Sequence, residues 1–206
     1  MFGHWHTKNE MDNVVEQIKD LLHEADLSVQ VYFDADSSPY LLNGREIHLH
    51  KTNDWRETYQ LSHALLHQVF FVNNRIKRAD VMWIEEIVCE SFSIFCLLYF
   101  ELDDIDKWFG YLYPDFYRIF CGVHSVRSVD SIEILNKFLS GYKTLEILQF
   151  IHPTVLQILS IIQKDFSQLL SFKKYADFLS GDVLKKDTTN LIADALYVFQ
   201  LSICGT

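Results

Sequence analysis

The sequence predicts an α+β protein that is mostly helical, with a small antiparallel sheet in the N-terminal half and an all-helical C-terminal half. Three observations support this fold class. Short runs of alternating apolar residues occur before about residue 50, apolar residues at helical spacing follow them, and 49% of the chain is hydrophobic, which is enough for a substantial core. We expect two lobes, 1–102 and 103–206, packed into one compact unit.

The N-terminal half begins with a helix predicted over 12–25, where the apolar residues have the helical period. Strand-like alternation follows at 28–33, and two further short strands are predicted at 40–42 and 46–50. Asn43-Gly44 lies between the last two strands, and this dipeptide strongly favours the turn of a β-hairpin. These three strands form the expected antiparallel sheet.

Helices account for the rest of the chain. Asp54 is a candidate N-cap for a long helix that ends at Asn73-Asn74, and a second long helix is predicted from about Asp80 to Phe100. No strand alternation occurs beyond Asp103. Amphipathic helices are predicted there near 104–121, 130–140, 143–151, 154–170, 172–180 and 188–203, with breaks at Pro114, Gly122, Gly141, Pro153 and Gly181.

The overall charge and composition exclude several classes of protein. A net charge of -10 with 18 Lys and Arg argues against nucleic-acid binding, because phosphate recognition needs a basic face. No basic leader precedes an apolar run at the start, and no apolar stretch reaches the length of a membrane span, so we expect a cytoplasmic protein. Four cysteines without a C-x-x-C pair are typical of buried free thiols. The 15% aromatic content suits a large core or the surface of a protein-binding cleft.

The most informative motif is His63-Ala64-Leu65-Leu66-His67, which is followed after eighteen residues by Glu86. Two histidines four residues apart lie on the same face of a helix, and a glutamate from the next helix can complete three ligands around a tetrahedral ion. This pattern predicts a zinc site formed by His63, His67 and Glu86. In the H-E-x-x-H arrangement, the residue after the first histidine is the glutamate that takes a proton from metal-bound water. Here this residue is Ala64, which cannot accept a proton.

The region from about 46 to 95 resembles the gluzincin branch of the zincin metallopeptidases. Those proteins carry H-E-x-x-H on one helix and the third ligand, a glutamate, on the next, often in a W-x-x-E context like Trp83-Ile84-Glu85-Glu86. The resemblance implies a zincin-like N-terminal lobe in which the two histidines and Glu86 bind zinc. It also implies that Glu90, four residues after Glu86, orients the first histidine as an outer partner.

A second alignment of the same helix is open. Tyr59-Gln60-Leu61-Ser62-His63 is similar to the H-E-L-x-H stretch of small zincin-like proteins, with tyrosine and glutamine at the first two positions. In this register His63 is the one remaining ligand histidine, and Gln60 replaces the general base with a near-isostere that cannot accept a proton. The two registers differ about the metal, and both lack the catalytic glutamate, at Ala64 or at Gln60.

These observations lead to three alternative functions. The first is a degenerate zincin-like protein without peptidase activity that presents its old substrate cleft, with or without zinc, to a protein or peptide partner. The second is an active metal-dependent hydrolase in which Glu57, Glu85 or Glu90 serves as a non-standard base. The third is a structural helical adaptor without a ligand, in which His63 and His67 line a polar seam. We take the first as the leading hypothesis, with no catalytic residue assigned.

Overall fold

The computed structural model describes residues 8–34, 40–42, 46–51, 55–74, 81–100, 145–181 and 183–204. Its elements, in chain order, are α1 (Lys8–Leu21), β1 (Gln30–Asp34), β2 (Tyr40–Leu42), β3 (Glu46–His50), α2 (Trp55–Asn73), α3 (Met82–Phe100), α4 (Leu145–Lys164), α5 (Ser167–Phe172), a 3-10 helix (Tyr175–Phe178), β4 (Leu179–Ser180), β5 (Val183–Leu184) and α6 (Leu191–Cys204). This content confirms the α+β, mostly helical class. The helices predicted at 104–121 and 130–140 lie outside the described residues.

The first three strands form one mixed sheet in the order β1-β3-β2. β2 and β3 pair antiparallel, with Leu41 opposite Ile47, as the predicted hairpin requires. β1 instead pairs parallel to β3, with Val31 opposite Ile47, so the expectation of a purely antiparallel sheet is wrong. β3 lies between β1 and β2 in the sheet. The chain reverses direction between β1 and β2 and again between β2 and β3, so β3 runs in the same direction as β1. Ile47 and Leu49 are fully buried and anchor the sheet in the core.

A second, two-stranded sheet interrupts the C-terminal part, which the sequence predicts to be all helical. β4 and β5 pair antiparallel on either side of Gly181, whose φ of 65° belongs to the left-handed region that glycine adopts without strain. The Gln200 side chain of α6 accepts a hydrogen bond from the Leu184 amide at 2.9 Å. The prediction of one helix over 172–180 is therefore wrong, since only a short 3-10 helix forms there and a strand follows it. The hydrogen bond with the Gln200 side chain, which is distant in sequence, helps to hold these strands together.

α4 passes through Pro153, where the sequence predicts a break. Proline lacks an N–H donor and its ring conflicts with the carbonyl four residues back, at a cost of about 3 kcal/mol. Ile151, Val155 and Ile158 on either side are buried, and α4 packs along α3. Ser91 of α3 also donates a hydrogen bond to the Val155 carbonyl at 3.1 Å. Packing of this apolar face offsets the cost of the proline.

One hydrophobic core cluster runs from Met11 of α1 to Phe199 of α6, so residues from both predicted lobes contribute to it. α2 packs along α3, α3 along α4, and α4 along α6. Trp83, at the start of α3, is fully buried, with its ring centroid 5.7 Å from that of Phe199. Within the described ranges, none of the helices combines the length and the apolar character that a membrane span requires.

The stretch after α5, Lys173–Phe178, is fastened to the end of α2 and is named the Tyr175 segment. Asn74, just beyond α2, donates through Nδ2 to the Lys173 carbonyl at 2.8 Å and accepts through Oδ1 from the Ala176 amide at 3.0 Å. Lys173 Nζ in turn forms an ion pair with Glu24 at 2.7 Å, just beyond the end of α1. Largely buried polar contacts therefore hold the segment in place.

Asn74→Ala is expected to lower the free energy of unfolding by about 1–3 kcal/mol, because it leaves the Lys173 carbonyl and the Ala176 amide without these partners. Urea unfolding followed by circular dichroism measures the change. Asn13→Ala is the control, because Asn13 is exposed on α1 and its truncation should change stability by no more than about 0.5 kcal/mol. Equal stability of the two variants would contradict this role of Asn74.

Candidate metal centre

His63 and His67 lie one turn apart on α2 and face α3, where both meet Glu86. His63 Nε2 is 3.3 Å from Glu86 Oε2, and His67 Nε2 is 3.1 Å from Glu86 Oε1. One ligand atom from each residue lies within 4.8 Å of the other two. The structure therefore brings the three predicted zinc ligands together, and these residues form the candidate metal centre.

Two of the distances in this cluster are near those between ligands of one tetrahedral ion. Zinc binds imidazole nitrogen and carboxylate oxygen at about 2.0–2.2 Å, which places two tetrahedral ligand atoms about 3.3–3.6 Å apart. The two nitrogen–oxygen distances across Glu86, 3.1 and 3.3 Å, lie at or just below the lower end of this range, and each involves a different oxygen of Glu86. The same distances suit ion pairs between imidazolium and carboxylate groups, so Glu86 can join the two histidines with or without a cation.

Each imidazole also faces a second carboxylate through its other nitrogen. Glu90 Oε2 lies 3.7 Å from His63 Nδ1, in the outer position that the gluzincin resemblance implies. Glu85 Oε2 lies 3.0 Å from His67 Nδ1, which is within hydrogen-bonding distance and closer than the contact of Glu90 with the first histidine. At 3.0 Å the Glu85 carboxylate can accept a hydrogen bond from His67 Nδ1, and in that tautomer the lone pair of Nε2 is available to a metal ion.

Two tyrosine hydroxyls lie behind these carboxylates. Tyr175 donates a hydrogen bond to Glu85 Oε1 at 2.6 Å, and Tyr59 donates one to Glu90 Oε1. Tyr59 lies on α2, one turn before His63, whereas Tyr175 is 90 residues from Glu85 in sequence. His67 therefore lies within hydrogen-bonding distance of a carboxylate that itself accepts from a phenol, whereas the carboxylate of Glu90, bonded to Tyr59, lies 3.7 Å from His63 Nδ1.

The two candidate base positions are occupied by side chains that cannot take a proton. Ala64 is 8% exposed and has no polar atom in its side chain. Gln60 turns toward β3, where its Oε1 accepts a hydrogen bond from the His50 amide at 2.9 Å. Gln60 therefore joins α2 to the sheet, whichever register describes the helix.

The three carboxylates considered as substitute bases lie elsewhere. Glu85 and Glu90 contact the Nδ1 atoms, on the opposite side of each ring from the Nε2 atoms that face Glu86. A general base has to reach metal-bound water within hydrogen-bonding distance, which these positions do not favour. Glu57 is buried six residues before His63, which places it about 120° around the helix axis.

The three glutamates around the histidines are buried, so their negative charge has to be compensated. Glu85, Glu86 and Glu90 are 0%, 7% and 3% exposed. With all three carboxylates ionised and both imidazoles protonated, the net charge of the cluster is -1. Because buried charge is costly unless it is compensated, the arrangement favours bound protons or a bound cation.

The same environment shifts the pKa values of neighbouring groups. Burial by itself lowers the pKa of His67, but Cys89, Glu85 and Glu86 beside it raise this pKa well above its usual value. Burial raises the pKa of the Cys89 thiol to about 11, although His67 opposes this shift. Cys89 is therefore an uncharged thiol at neutral pH, so it acts on His67 through its hydrogen bond, and the negative charge beside this ring comes from the glutamates.

Sequence patterns gave no structural role to three polar residues near this cluster. Glu85 stands among the substitute bases, but its place beside Glu86 does not indicate that it faces His67. Tyr175 has no sequence signal at all, because its partner is 90 residues away. His152 of α4 is 5% exposed and near enough to Glu90 for the two charges to interact. The one sequence signal for a structural role of His152 is that it is a single histidine in a mostly apolar helix.

Comparisons with known proteins add no relative to this geometry: no family model, no curated protein and no solved structure matches the chain. The gluzincin resemblance therefore rests on the motif residues and their contacts, and it stays a prediction.

Protonation of His152 should destabilise the fold. Burial lowers its pKa to about 4, although the charge of Glu90 partly opposes this shift. In the unfolded chain a histidine has a pKa of about 6.5, so the unfolded state binds this proton first. We expect the contribution of neutral His152 to the free energy of unfolding to be lost as pH falls from about 6.5 to about 4.

Urea unfolding in the presence of a chelator, repeated at several pH values, measures this effect. The stability difference between wild type and His152→Gln should shrink over this pH range, because glutamine does not titrate. A constant difference would show that His152 is not held as a neutral imidazole.

Proposed function

We propose that this chain binds one zinc ion between α2 and α3 through His63, His67 and Glu86, and that it is a zincin-like protein without peptidase activity. One observation carries the proposal: both imidazoles present Nε2 to the Glu86 carboxylate, while a separate glutamate lies at each Nδ1. Zinc-bound histidines are typically oriented by outer carboxylates in this way.

The donor set favours zinc over the other common divalent ions. Magnesium and calcium prefer oxygen ligands, whereas two imidazole nitrogens and one carboxylate suit zinc in a site with one open position. Copper, nickel and iron also bind imidazole, so the natural ion depends on availability as well as on affinity. A zinc ion in such a site acts as a Lewis acid toward the group at the open position.

A divalent cation is one way to compensate the charge of this cluster. With neutral imidazoles, Glu85, Glu86 and Glu90 carry -3, and an ion of +2 reduces this to -1 without a proton on either ring. A seam of two imidazolium rings and three carboxylates, as in the adaptor hypothesis, reaches the same net charge. Direct metal analysis distinguishes the two.

The lack of peptidase activity is inferred from the side chains around the centre. Ala64 stands where the gluzincin peptidases have their general base, and Glu85 and Glu90 are engaged with the outer nitrogens of the histidines. General-base catalysis contributes about 10²–10⁴-fold to such reactions, so its loss leaves a site whose use is binding.

The proposal includes a partner and a compartment. We propose a protein or peptide partner, which the 15% aromatic content suits, whereas a net charge of -10 argues against nucleic acid. Cys89 and Cys96 are buried free thiols, which suits a reducing compartment, the cytoplasm.

Wild-type protein that is purified free of metal and dialysed against zinc is expected to retain one zinc ion per chain. His63→Ala and His67→Ala should each lose it, because two remaining ligands do not hold the ion. His48→Ala is the matched control, since His48 lies on β3 and stacks on Tyr32. Elemental analysis by mass spectrometry gives the stoichiometry, and wild type without bound zinc would rule out the proposal.

Ala64→Glu restores the H-E-x-x-H pattern and tests the inferred loss of the base. We expect the zinc-loaded variant to hydrolyse an unstructured protein such as casein about 10²-fold faster than Ala64→Gln, which has the same shape without the proton acceptor. Release of soluble peptides measures the rate. Hydrolysis by the wild-type protein that stops on addition of a chelator would contradict the lack of peptidase activity.

A further inference from the structure

We infer that Tyr175 is a positioning residue of the zinc centre, and that zinc binding and docking of the Tyr175 segment stabilise each other. This inference rests on the proposed zinc site. The Tyr175 hydroxyl donates to Glu85 Oε1 at 2.6 Å, and Glu85 Oε2 lies 3.0 Å from His67 Nδ1. The opposite nitrogen of His67 lies 3.1 Å from Glu86 Oε1. A continuous series of polar contacts thus leads from the segment to the metal ligands.

Packing that does not involve its hydroxyl fixes the Tyr175 ring. The side chain is fully buried, and its ring meets Phe70 edge to face at 5.3 Å and stacks on Phe172 at 6.0 Å between centroids. The adjacent backbone is fastened to Asn74. These contacts aim the hydroxyl at Glu85, so Tyr175→Phe removes the hydrogen bond and keeps the packing.

The hydroxyl matters because Glu85 is completely buried. One carboxylate oxygen accepts from Tyr175 and the other faces His67, so both are used. A buried carboxylate that loses a donor turns toward another donor. Such a turn moves Glu85 Oε2 away from His67 Nδ1, and the imidazole then no longer presents Nε2 in a fixed orientation.

The two histidines differ in the origin of their supporting tyrosine. Tyr59 supports Glu90 from α2 itself, so the half of the site around His63 forms when α2 packs on α3. Tyr175 follows α5, so the half around His67 is complete only when the Tyr175 segment docks. Coupling between two binding events is reciprocal, and what docking adds to zinc affinity, zinc adds to docking.

Zinc affinity, measured by competition with a chromophoric chelator, tests the role of Tyr175. We expect Glu85→Gln to weaken zinc binding about 10–100-fold and Tyr175→Phe about 10-fold, as for other outer partners of zinc ligands. Because the hydroxyl acts through Glu85, adding Tyr175→Phe to Glu85→Gln should cause no further loss. Tyr32→Phe is the control, since it removes a hydroxyl that donates to Gln30 on β1, and it should leave the affinity unchanged.

The outcomes separate this inference from the proposed function. Wild type without bound zinc would overturn both. Wild type that binds zinc no more tightly than Tyr175→Phe would overturn the positioning role and leave the zinc site intact. If Tyr175→Phe weakens binding equally in the wild-type and Glu85→Gln backgrounds, its effect does not run through Glu85 and the inference is wrong.

Hydrogen exchange on the wild-type protein tests the coupling without any variant, and therefore decides the question even if Tyr175→Phe does not fold. The Ala176 amide is bonded to Asn74 Oδ1, and the Asp177 amide to the Lys174 carbonyl. By reciprocity, zinc should slow exchange at these amides about 10-fold, while the Asp194 amide in the first turn of α6 keeps its rate. Unchanged exchange in the segment of the zinc-bound protein would overturn the coupling.

Discussion

The buried carboxylates of α3 impose the constraint on which the rest of this structure depends. Glu85, Glu86 and Glu90 occur within two turns of a helix whose residues from Trp83 to Leu97 are almost all buried. Each needs partners, because removing one partner of a buried charge costs about 3–5 kcal/mol. The histidines of α2 and the two tyrosines provide them. Polar contacts therefore set the register of α2 against α3, together with the apolar packing around them.

The antiparallel pairing of these helices explains why two motif registers fit the sequence. One turn back along α2 corresponds to one turn forward along α3. His67 faces Glu86, and Tyr59 reaches Glu90. His63 lies between the two glutamates. The two registers therefore correspond to two adjacent levels, one helical turn apart, of the same helix pair, and His63 belongs to both levels. At the second level Tyr59 stands where the motif has a histidine, and its hydroxyl donates to the carboxylate of Glu90.

Sequence patterns predicted the elements whose signals are local. The bounds of β2, β3, α2 and α3 agree with the predictions within two residues, because alternation, helical period and the Asn-Gly turn are read from short windows. The predictions failed at the parallel pairing of β1, at Pro153 and at the strands around Gly181. In each case a contact with another element of the fold outweighs the structure that the local sequence favours. Such a contact joins residues far apart in the chain, so a short stretch of sequence does not contain it.

For the candidate centre, the sequence alone established the spacing of His63 and His67 and the lack of a proton acceptor at residue 64. Residues four apart share a helix face wherever that helix packs, and alanine cannot accept a proton in any fold. Only tertiary structure shows that Glu85 supports His67 and that Tyr175 supports Glu85. Helical geometry relates neighbours within one element, whereas a contact across 90 residues depends on how the whole chain packs.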